Sequence, residues 1–359
     1  MAFELARQLA HKGHKVHIIT NKSNRPIPEP GLTIHHLPAR GFWQAAVRSL
    51  LELESVGDLD VIHIQNLVIH RAFAPFMGVL RRRCRLPVVA YCCQIPGLAF
   101  SSWVDVLKKD PSEAVFNKLG MLAPSFATQW TIRTIDKTIA STKFIKNELS
   151  SAHPLREIGI IPPFFNDDRL RQSLKVSSGK SPNRQVLYLG SHKVLRGEDD
   201  FLSMLGLLRK QYPDLQGIAV TTHPIPRRIR RLIRTQNLNG AVRFLSRGVD
   251  IDVPSLMTSV NLYAFTGLSP IGSIDPPLSV IESLILGTPV VSYDTGGISE
   301  ILDQDNLVPY RDYVSLARRA SKFLDGEEGV RPRPDLLSRF SSDRASARFE
   351  EAYQELARS

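Results

Sequence analysis

Cysteine is scarce in this sequence. Its three cysteines (Cys84, Cys92 and Cys93) cannot build a disulfide framework, and no grouping of cysteine and histidine has the spacing of a zinc site. This usage is typical of a reducing compartment, so we expect a cytoplasmic location. No other set of metal-ligating residues is evident, and neither a metal nor another cofactor is expected.

Long apolar runs are also missing. No segment reaches the roughly 20 uninterrupted apolar residues that a membrane-spanning helix needs. The first residues, MAFELARQLAHKGH, alternate apolar and charged residues at helical spacing, which predicts an amphipathic helix instead of a signal peptide. Apolar residues make up 43% and charged residues 23% of the 359 positions, which indicates a globular protein of two or three domains.

Acidic residues are in deficit, because 35 Asp and Glu stand against 46 Lys and Arg, for a net charge of +11. Much of the excess lies in two runs, residues 81–85 and residues 227–234. The second run, RRIRRLIR, predicts an amphipathic helix with an arginine-rich outer face. Such runs attract anionic lipid or phosphorylated substrates, and they are also typical of solvated helix faces. No aromatic residues interleave with them, so nucleic acid is not an expected partner.

Strands and helices alternate along the chain. Strands are predicted over residues 15–20, 33–37, 61–64, 87–93, 137–141 and 157–161, with helices over 2–12, 72–83, 113–135 and 143–150. Several of these strands are nearly continuous apolar runs, which is typical of a parallel sheet covered on both faces. A polar, turn-rich stretch, VSSGKSPN, interrupts the pattern at residues 176–183 before it resumes at residue 185.

These changes predict the domain organisation. We expect an N-terminal domain over residues 1–168, a linker over 169–184, a second domain over 185–340, and a C-terminal helix over 341–359 that packs back on the first domain. Both domains are α/β and Rossmann-like. Ligands of such sheets bind at the carboxyl ends of the strands, so the site is expected in a cleft between the two domains.

The richest local pattern is DPPLSVIESLILGTPVVS at residues 275–292, followed by DTGGISE at 294–300. The prolines stop a loop, and Ser279 is expected to cap the helix that follows. The free N–H groups and positive dipole end of such a helix suit a diphosphate. Glu282, one turn further on, is suited to accept hydrogen bonds from the hydroxyls of a ribose. The spacing alone also fits a purely structural helix–strand unit.

This stretch resembles the donor-binding segment of the family-4 retaining glycosyltransferases, in which a Gly-Thr-Pro-Val-Val element follows the second of two glutamates. Four other stretches are similar to the same family in the same order: ELARQLAHKGHKVHIIT, DVIHIQN, IIPPFFN and LYLGSHKVLRG, at residues 4–20, 60–66, 160–166 and 187–197. The resemblance spans essentially the whole chain. It implies the GT-B fold, a UDP- or GDP-linked sugar donor, and transfer with retention of anomeric configuration.

The resemblance also implies donor-binding residues. Glu282 matches the glutamate that binds the donor ribose, and Leu278 and Ser279 precede it at the start of the donor helix. Ser246 and Arg247 fall where the nucleotide base of the family's donors stacks against backbone. All five positions are therefore candidate donor contacts.

A basic pair is implied at the departing diphosphate. Arg196 matches the position of the family's lysine in that pair, and Ser191 stands where the family has its arginine. Lys193 or His192, from the same loop, is the candidate replacement, although an exposed Lys193 without a role fits the sequence equally well. Cations at this place neutralise the charge that develops on the leaving group.

The sequence departs from the family pattern at the sugar-contacting positions. The first glutamate of the pair falls on Ile274, and the next residue, Asp275, is expected to contact sugar hydroxyls or to cap the loop. Where the family often has a histidine after the strand at 87–93, this chain has Gln94, which is expected to bond the donor sugar without acting as a base. His63, at a strand end that faces the expected cleft, is expected to be a structural histidine satisfied by backbone groups, in preference to a role in the cleft.

The chain opens directly at the first helix, where the family usually has a strand and a glycine-rich loop before it. We expect a start codon placed too late, in preference to an impaired relative. The leading hypothesis is an enzyme that moves a sugar to a lipid-linked or glycan acceptor, associated peripherally with the anionic inner face of the membrane. The alternatives are a degenerate transferase that binds without turnover and a GT-B epimerase or hydrolase of nucleotide sugars.

Overall fold

The computed structural model describes residues 1–21, 29–65, 73–94, 108, 133–152, 157–166, 168–175, 183–222, 224–246, 251–268, 273–328 and 332–358. Tertiary contacts divide the chain into two compact units. The boundaries fall after Asn166 and before Arg339, so the C-terminal segment belongs to the first unit. The helix predicted over residues 113–135 lies almost wholly outside the described residues.

The described residues of the first unit form two parallel sheets. One pairs β1 (Val16–Thr20) with β2 (Leu32–His36); the other contains β3 (Ile62–Gln65), β4 (Val88–Cys92), β5 (Lys137–Ala140) and β6 (Ile158–Ile160) in that order. No strand among the described residues joins the two sheets. Every residue of β4 is buried, as its apolar run predicts for a strand covered on both faces.

Four described helices from the N-terminal part of the first unit cover its sheets. They are α1 (Ala2–His11), α2 (Phe42–Ser55), α3 (Phe73–Arg83) and α4 (Lys143–Ala152). The sequence pattern does not predict α2, which packs against α3 and buries Ala46 and Val47 in the core with Met77 and Leu80. This helix follows Gly41, which has a left-handed backbone (φ 73°), and no side chain caps it.

The C-terminal segment forms a long helix after the short helix that ends at Arg339. It packs against α1, and Glu350 lies 3.1 Å from the Lys12 ammonium and 2.8 Å from the His14 ring, both just after α1. The hydroxyl of Ser341 accepts the N–H of Arg344 and caps the N-terminus. Phe349, a residue of this helix, is fully buried. The helix is therefore an integral part of the first unit.

The second unit contains a six-stranded parallel sheet. In sequence the strands are β7 (Gln185–Leu189), β8 (Gln216–Thr221), β9 (Val242–Ser246), β10 (Leu262–Phe265), β11 (Val290–Tyr293) and β12 (Leu307–Val308), and in space their order is β12-β11-β10-β7-β8-β9. The chain thus builds outward from β7 in one direction and then returns to continue from β10 in the other. The strand order reverses between β7 and β10.

Helices of the described residues flank this sheet. They are α5 (Asp168–Lys175), α6 (Glu198–Gln211), α7 (Arg227–Thr235), α8 (Val253–Ser259), α9 (Leu278–Ile285), α10 (Tyr313–Leu324), α11 (Asp335–Arg339) and, in the first unit, the C-terminal α12 (Ser342–Ala357). The helix α5 occupies the first part of the segment predicted as a linker over 169–184. It buries Leu170 and packs against α8, so these residues are folded into the second unit.

Candidate active site

The predicted site residues of the second unit lie at the carboxyl ends of neighbouring strands. Residues 190–197 follow β7, the segment before α9 follows β10, and a 3₁₀ turn, Gly296–Glu300, follows β11. The strands β7 and β10 flank the point at which the strand order reverses. Ligands of open parallel sheets bind at this point, because the loops there diverge and leave a crevice.

The N-terminus of α9 presents free hydrogen-bond donors. The helix begins at Leu278, after Pro277, and has no side-chain cap. The prediction that Ser279 caps this helix is therefore wrong; Ser279 is its second residue, and its hydroxyl lies 2.9 Å from the hydroxyl of Tyr263. Within the described part of the chain, no group accepts the N–H of Leu278 or of Ser279. Two donors thus stand at the positive end of the helix dipole.

Glu282 lies one turn into α9. Leu278, Ser279 and Glu282 are partly exposed, whereas Val280 and Ile281 between them are fully buried. Residues three and four apart share one side of a helix, so the three partly exposed residues form a single stripe that starts at the free N–H groups. The structure therefore brings together three of the predicted donor contacts.

Asp275 is buried next to this helix instead of being open to solvent. Its side chain is 1% exposed, and its two carboxylate oxygens accept the N–H of Gly297 at 2.8 and 3.0 Å. The contact ties the segment before α9 to the 3₁₀ turn after β11. This is the loop-supporting arrangement that the sequence left open, and a contact of Asp275 with sugar hydroxyls stays a prediction.

The loop after β7 packs backbone against backbone on the segment after β10. Gly197 closes a 3₁₀ turn, Val194–Arg196, with a left-handed backbone (φ 71°), and a Cβ at this position would lie 1.7 Å from the carbonyl oxygen of Thr266. Two residues further on, the N–H of Leu268 donates to the carbonyl of Leu195 at 2.9 Å. Only a glycine permits this approach, and it fixes the loop that carries the predicted cations.

Two predicted cations belong to this loop. Arg196 ends the 3₁₀ turn and is partly buried, whereas Lys193 is exposed and its ammonium has no hydrogen bond or ion pair with a described residue. The hydroxyl of Tyr188 lies 3.2 Å from the carbonyl oxygens of both Ser191 and Arg196, so it bridges the two ends of the loop. The backbone that presents Arg196 is thus held from inside the unit.

His192 is held by a buried acid that the sequence alone does not reveal. Its Nδ1 lies 2.7 Å from Oε2 of Glu198, and the exposed fractions of the two side chains are 9% and 0%. Burial raises the pKa of the Glu198 carboxyl above its usual value, and the hydrogen bond to His192 opposes this rise. The signal in the sequence is the acidic first turn of α6, which follows the loop directly.

The same loop is fixed from a second helix. The Arg228 guanidinium, at the start of α7, donates to the carbonyl oxygen of His192 at 2.7 Å and forms an ion pair with Asp199. His192 is therefore committed to Glu198 through its ring and to Arg228 through its backbone. Because each partner belongs to a different helix, the position of this loop depends on the packing of both.

The remaining predicted residues lie elsewhere. Ser246 ends β9 at the carboxyl edge of the same sheet and is partly buried, while Arg247 lies outside the described residues. Gln94 belongs to the first unit, where it follows the carboxyl end of β4 and is partly buried. Ile274 immediately precedes the buried Asp275 and is partly exposed.

His63 has two side-chain partners within the first unit. Its Nδ1 lies 2.6 Å from the hydroxyl of Tyr353 in α12, and its Nε2 lies 3.0 Å from the amide oxygen of Gln65. Burial lowers the pKa of His63 to about 4. The ring is therefore neutral at pH 7. Its partners are side chains, so the expectation of backbone partners is wrong, and its structural role stays a prediction.

Among the described residues, no group of three or more histidine, cysteine, aspartate or glutamate side chains is arranged to hold a metal ion. None of the helices in that part of the chain combines the length and the apolar character that crossing a membrane requires.

Two family models match the chain. One, described as Glycosyltransferase Family 4, matches residues 1–169, and the other, described as Glycosyl transferases group 1, matches residues 183–326. N-acetyl-alpha-D-glucosaminyl L-malate synthase from Bacillus anthracis is 22% identical over 380 residues, which cover 99% of this chain and 93% of that protein.

Solved structures share the fold at low identity. Sucrose-phosphate synthase from Thermosynechococcus elongatus has a TM-score of 0.75 at 16% identity and covers 99% of this chain and 92% of its own. HepE from Anabaena, in complex with UDP-glucose, has a TM-score of 0.69 at 15% identity, with coverages of 98% and 94%. The family models leave only residues 170–182 and 327–359 unmatched, and the chain belongs to the family-4, group 1 glycosyltransferases, transferase enzymes of the GT-B fold.

Proposed function

We propose that this glycosyltransferase moves a sugar from a UDP- or GDP-linked donor to a lipid-linked or glycan acceptor, with retention of anomeric configuration. The observation that carries the proposal is the stripe on α9, which starts at two free N–H donors and ends at Glu282 beside the strand-order reversal. The complex of HepE with UDP-glucose supports a nucleotide-sugar donor, since that protein shares the fold over nearly its whole length.

In this proposal the donor diphosphate lies at the N-terminus of α9. The N–H groups of Leu278 and Ser279 donate to its oxygens, and the helix dipole favours its negative charge. Glu282, one turn further along the same side, accepts the hydroxyls of the ribose. Ser246, at the end of β9, is the candidate contact for the base.

Arg196 and Lys193 neutralise the charge that develops as the diphosphate leaves. Charged groups that are already in place stabilise such a leaving group without reorganising during the reaction. Arg196 meets this condition, because Tyr188 and Gly197 fix the backbone on either side of it. The Lys193 ammonium, which has no hydrogen-bond or ion-pair partner among the described residues, is able to approach a bound phosphate.

Retention follows in this proposal from a same-face attack. The leaving phosphate takes the proton of the incoming acceptor hydroxyl, so the protein supplies position and charge in place of a nucleophile. The hydrogen bonds of Asp275 to Gly297 support this route, because they direct that carboxylate into the loop. Gln94 remains the candidate hydrogen-bond donor to the sugar.

Calorimetric titration with UDP, GDP and UDP-glucose tests the donor site. Glu282→Gln removes a charged acceptor worth about 1.5–3 kcal/mol, so we expect donor affinity to fall roughly 10- to 100-fold. Glu327→Gln is the matched control, since it makes the same charge change at an exposed position of the same unit. Equal affinities for the wild type and Glu282→Gln would contradict the site.

Product analysis tests the reaction. NMR of the product formed with an added acceptor is expected to show the anomeric configuration of the donor. An inverted product would contradict the retaining mechanism. Free sugar as the sole product, with every acceptor tried, would assign the protein to the hydrolases, and donor binding without any product would assign it to the non-catalytic relatives.

We also propose peripheral binding to the anionic inner face of the membrane through α7. Four of its arginines (Arg227, Arg230, Arg231 and Arg234) line one shallow cavity of 780 Å³, and none has an ion-pair partner among the described residues. The three cysteines are buried thiols, as is typical of the reducing cytoplasm. The double variant Arg230→Glu/Arg234→Glu is expected to weaken binding to anionic vesicles at least 30-fold, at about 1 kcal/mol per arginine.

The control for this surface is Arg344→Glu/Arg348→Glu. These exposed arginines have the same spacing on another helix, α12, and no ion-pair partner within the described residues. We expect this variant to bind vesicles like the wild type, and binding by the wild type to weaken as salt is raised. Equal losses in both double variants would show that net charge, and not α7, governs the association.

A further inference from the structure

A groove between α2 and α3 of the first unit takes no part in the donor site. Its volume is 690 Å³, and its apolar lining comes from Trp43, Val47 and Leu51 of α2 and from Phe76 and Val79 of α3. The three α2 residues are four apart and therefore form a straight stripe along that helix. The lining of α2 extends from Trp43 to Ser55, which corresponds to about 18 Å at 1.5 Å per residue.

The groove has a fixed floor and an exposed apolar rim. Val47 and Phe76 are 7% and 8% exposed and belong to the core below. The Trp43 ring packs against the Phe76 ring with centroids 4.9 Å apart, although 38% of Trp43 remains exposed, as does 44% of Val79. Exposed apolar residues that converge on one concave surface indicate a binding site, whereas scattered ones do not.

The charges around the groove favour an anion. Arg48 and Arg83 line it, and neither has an ion-pair partner among the described residues. Glu52 is the one carboxylate in its lining. Two more arginines, Arg82 and Arg85, are exposed beside Arg83 at the end of α3. The local charge is therefore positive at the edge of an apolar floor.

We infer that this groove binds a single-chain lipid phosphate, with the hydrocarbon chain against Trp43, Leu51 and Val79 and the phosphate at Arg48 and Arg83. The volume lies within the roughly 300–1,000 Å³ of small-ligand sites. A concave site with an apolar floor requires a chain to enter it, which the flat headgroup layer of a bilayer does not provide. If the bound lipid phosphate is the acceptor, that role rests on the transferase function proposed above. The binding itself does not depend on that function.

The direct test is a calorimetric titration of the full-length protein with decyl phosphate, below the concentration at which decyl phosphate forms micelles. Complete burial of one methylene changes affinity about fourfold, so octyl phosphate is expected to bind up to about 16-fold more weakly. Decanol, which has the chain without the phosphate, is expected to bind more weakly than decyl phosphate. Equal affinities for the two chain lengths would overturn the inference, because the groove would then bind only the anion.

Paired variants place the binding in the groove. Val79→Glu is expected to reduce the affinity for decyl phosphate at least tenfold, whereas Val56→Glu, at an apolar residue that is 69% exposed outside the groove, is expected to leave it unchanged. Arg83→Glu is expected to weaken the binding of decyl phosphate but not of decanol, whereas Arg82→Glu, one residue outside the lining, is expected to weaken decyl phosphate binding much less and to leave decanol binding unchanged. Equal effects within either pair would overturn the inference.

Two further measurements separate this inference from the others. UDP titration of Val79→Glu is expected to match that of the wild type, so a wild type that binds decyl phosphate but not UDP would contradict only the proposed transferase function. Vesicles of anionic phospholipid are expected not to displace decyl phosphate. Complete displacement would assign the groove to the bilayer surface and overturn the single-chain site.

Discussion

Gly197 is the position at which the donor-side loop depends most directly on backbone geometry. A Cβ added there would lie 1.7 Å from the carbonyl oxygen and 2.6 Å from the carbonyl carbon of Thr266, whereas real Cβ contacts essentially never fall below 3.0 Å. Gly197→Ala therefore requires the two backbones to separate by roughly 1.3 Å along the shorter contact. We expect this substitution to destabilise the second unit and to weaken donor binding.

The expected loss has two parts. A non-glycine residue with a left-handed backbone costs about 1–2 kcal/mol, part of which the stiffer unfolded chain of alanine offsets. Separating the backbones adds an overpacking cost of about 1–3 kcal/mol and strains the hydrogen bond from Leu268 to Leu195, which contributes about 1 kcal/mol. The free energy of unfolding should therefore fall by about 3 kcal/mol or more.

Gly240→Ala separates these two parts. Gly240 has nearly the same backbone angle, φ +72° against +71°, but a Cβ there meets nothing within 4 Å. We expect this control to lose only about 1 kcal/mol. Urea denaturation and calorimetry of both full-length variants measure the difference in the free energy of unfolding. Titration with UDP measures the difference in donor affinity. Equal stability losses for Gly197→Ala and Gly240→Ala would refute the argument from close backbone approach.

Three further outcomes follow from the buried ionisable groups. Asp275→Asn keeps one acceptor for the N–H of Gly297, so the free energy of unfolding in urea should fall by about 1 kcal/mol. The kcat of this variant should stay within tenfold of the wild type. A thousandfold loss of kcat at unchanged stability would assign the carboxylate to the sugar. Burial raises the pKa of Glu198, so its contribution to stability is fully present below pH 4.5 and is lost as the pH rises through the pKa of the folded state. Melts from pH 4 to 7 should therefore show wild type losing stability relative to Glu198→Gln as the pH rises, and parallel profiles would contradict this. His63 has a pKa of about 4 in the folded state against 6.5 when unfolded, so stability falls as the pH drops from 6.5 to 4, by about 2 kcal/mol once its partial exposure is allowed for. His63→Asn should remove this loss, and an unchanged acid profile would show that another group causes it.

The strands follow closely from the sequence, whereas contacts across the fold do not. The strand predicted from residue 185 is present as β7. It can be predicted because its central residues are buried and form an apolar run in the sequence. The helix α2 escapes prediction, since it follows Gly41 without a side-chain cap or another start signal. The family resemblance supplies Glu282 and Arg196, which local periodicity alone does not single out from a structural helix and turn.

The errors at the site arise from tertiary contacts. Ser279 has the residue type of a helix cap, but its hydroxyl pairs with the hydroxyl of Tyr263, sixteen residues away, and not with a backbone N–H of the helix. Glu198 lies six residues from His192, and only the reversal at Gly197 brings the two side chains together. Neither pairing leaves a pattern of period two or 3.6 in the sequence, which is what local reasoning detects.

The three cysteines give the protein an internal reporter of unfolding. Cys84, Cys92 and Cys93 all belong to the first unit and are between 0% and 3% exposed, and burial raises the pKa of Cys92 to about 12. A thiol reagent therefore reacts with these side chains only when that unit opens. The second unit contains no cysteine. Labelling rates measured with and without UDP would show whether a ligand of the second unit also changes how often the first one opens.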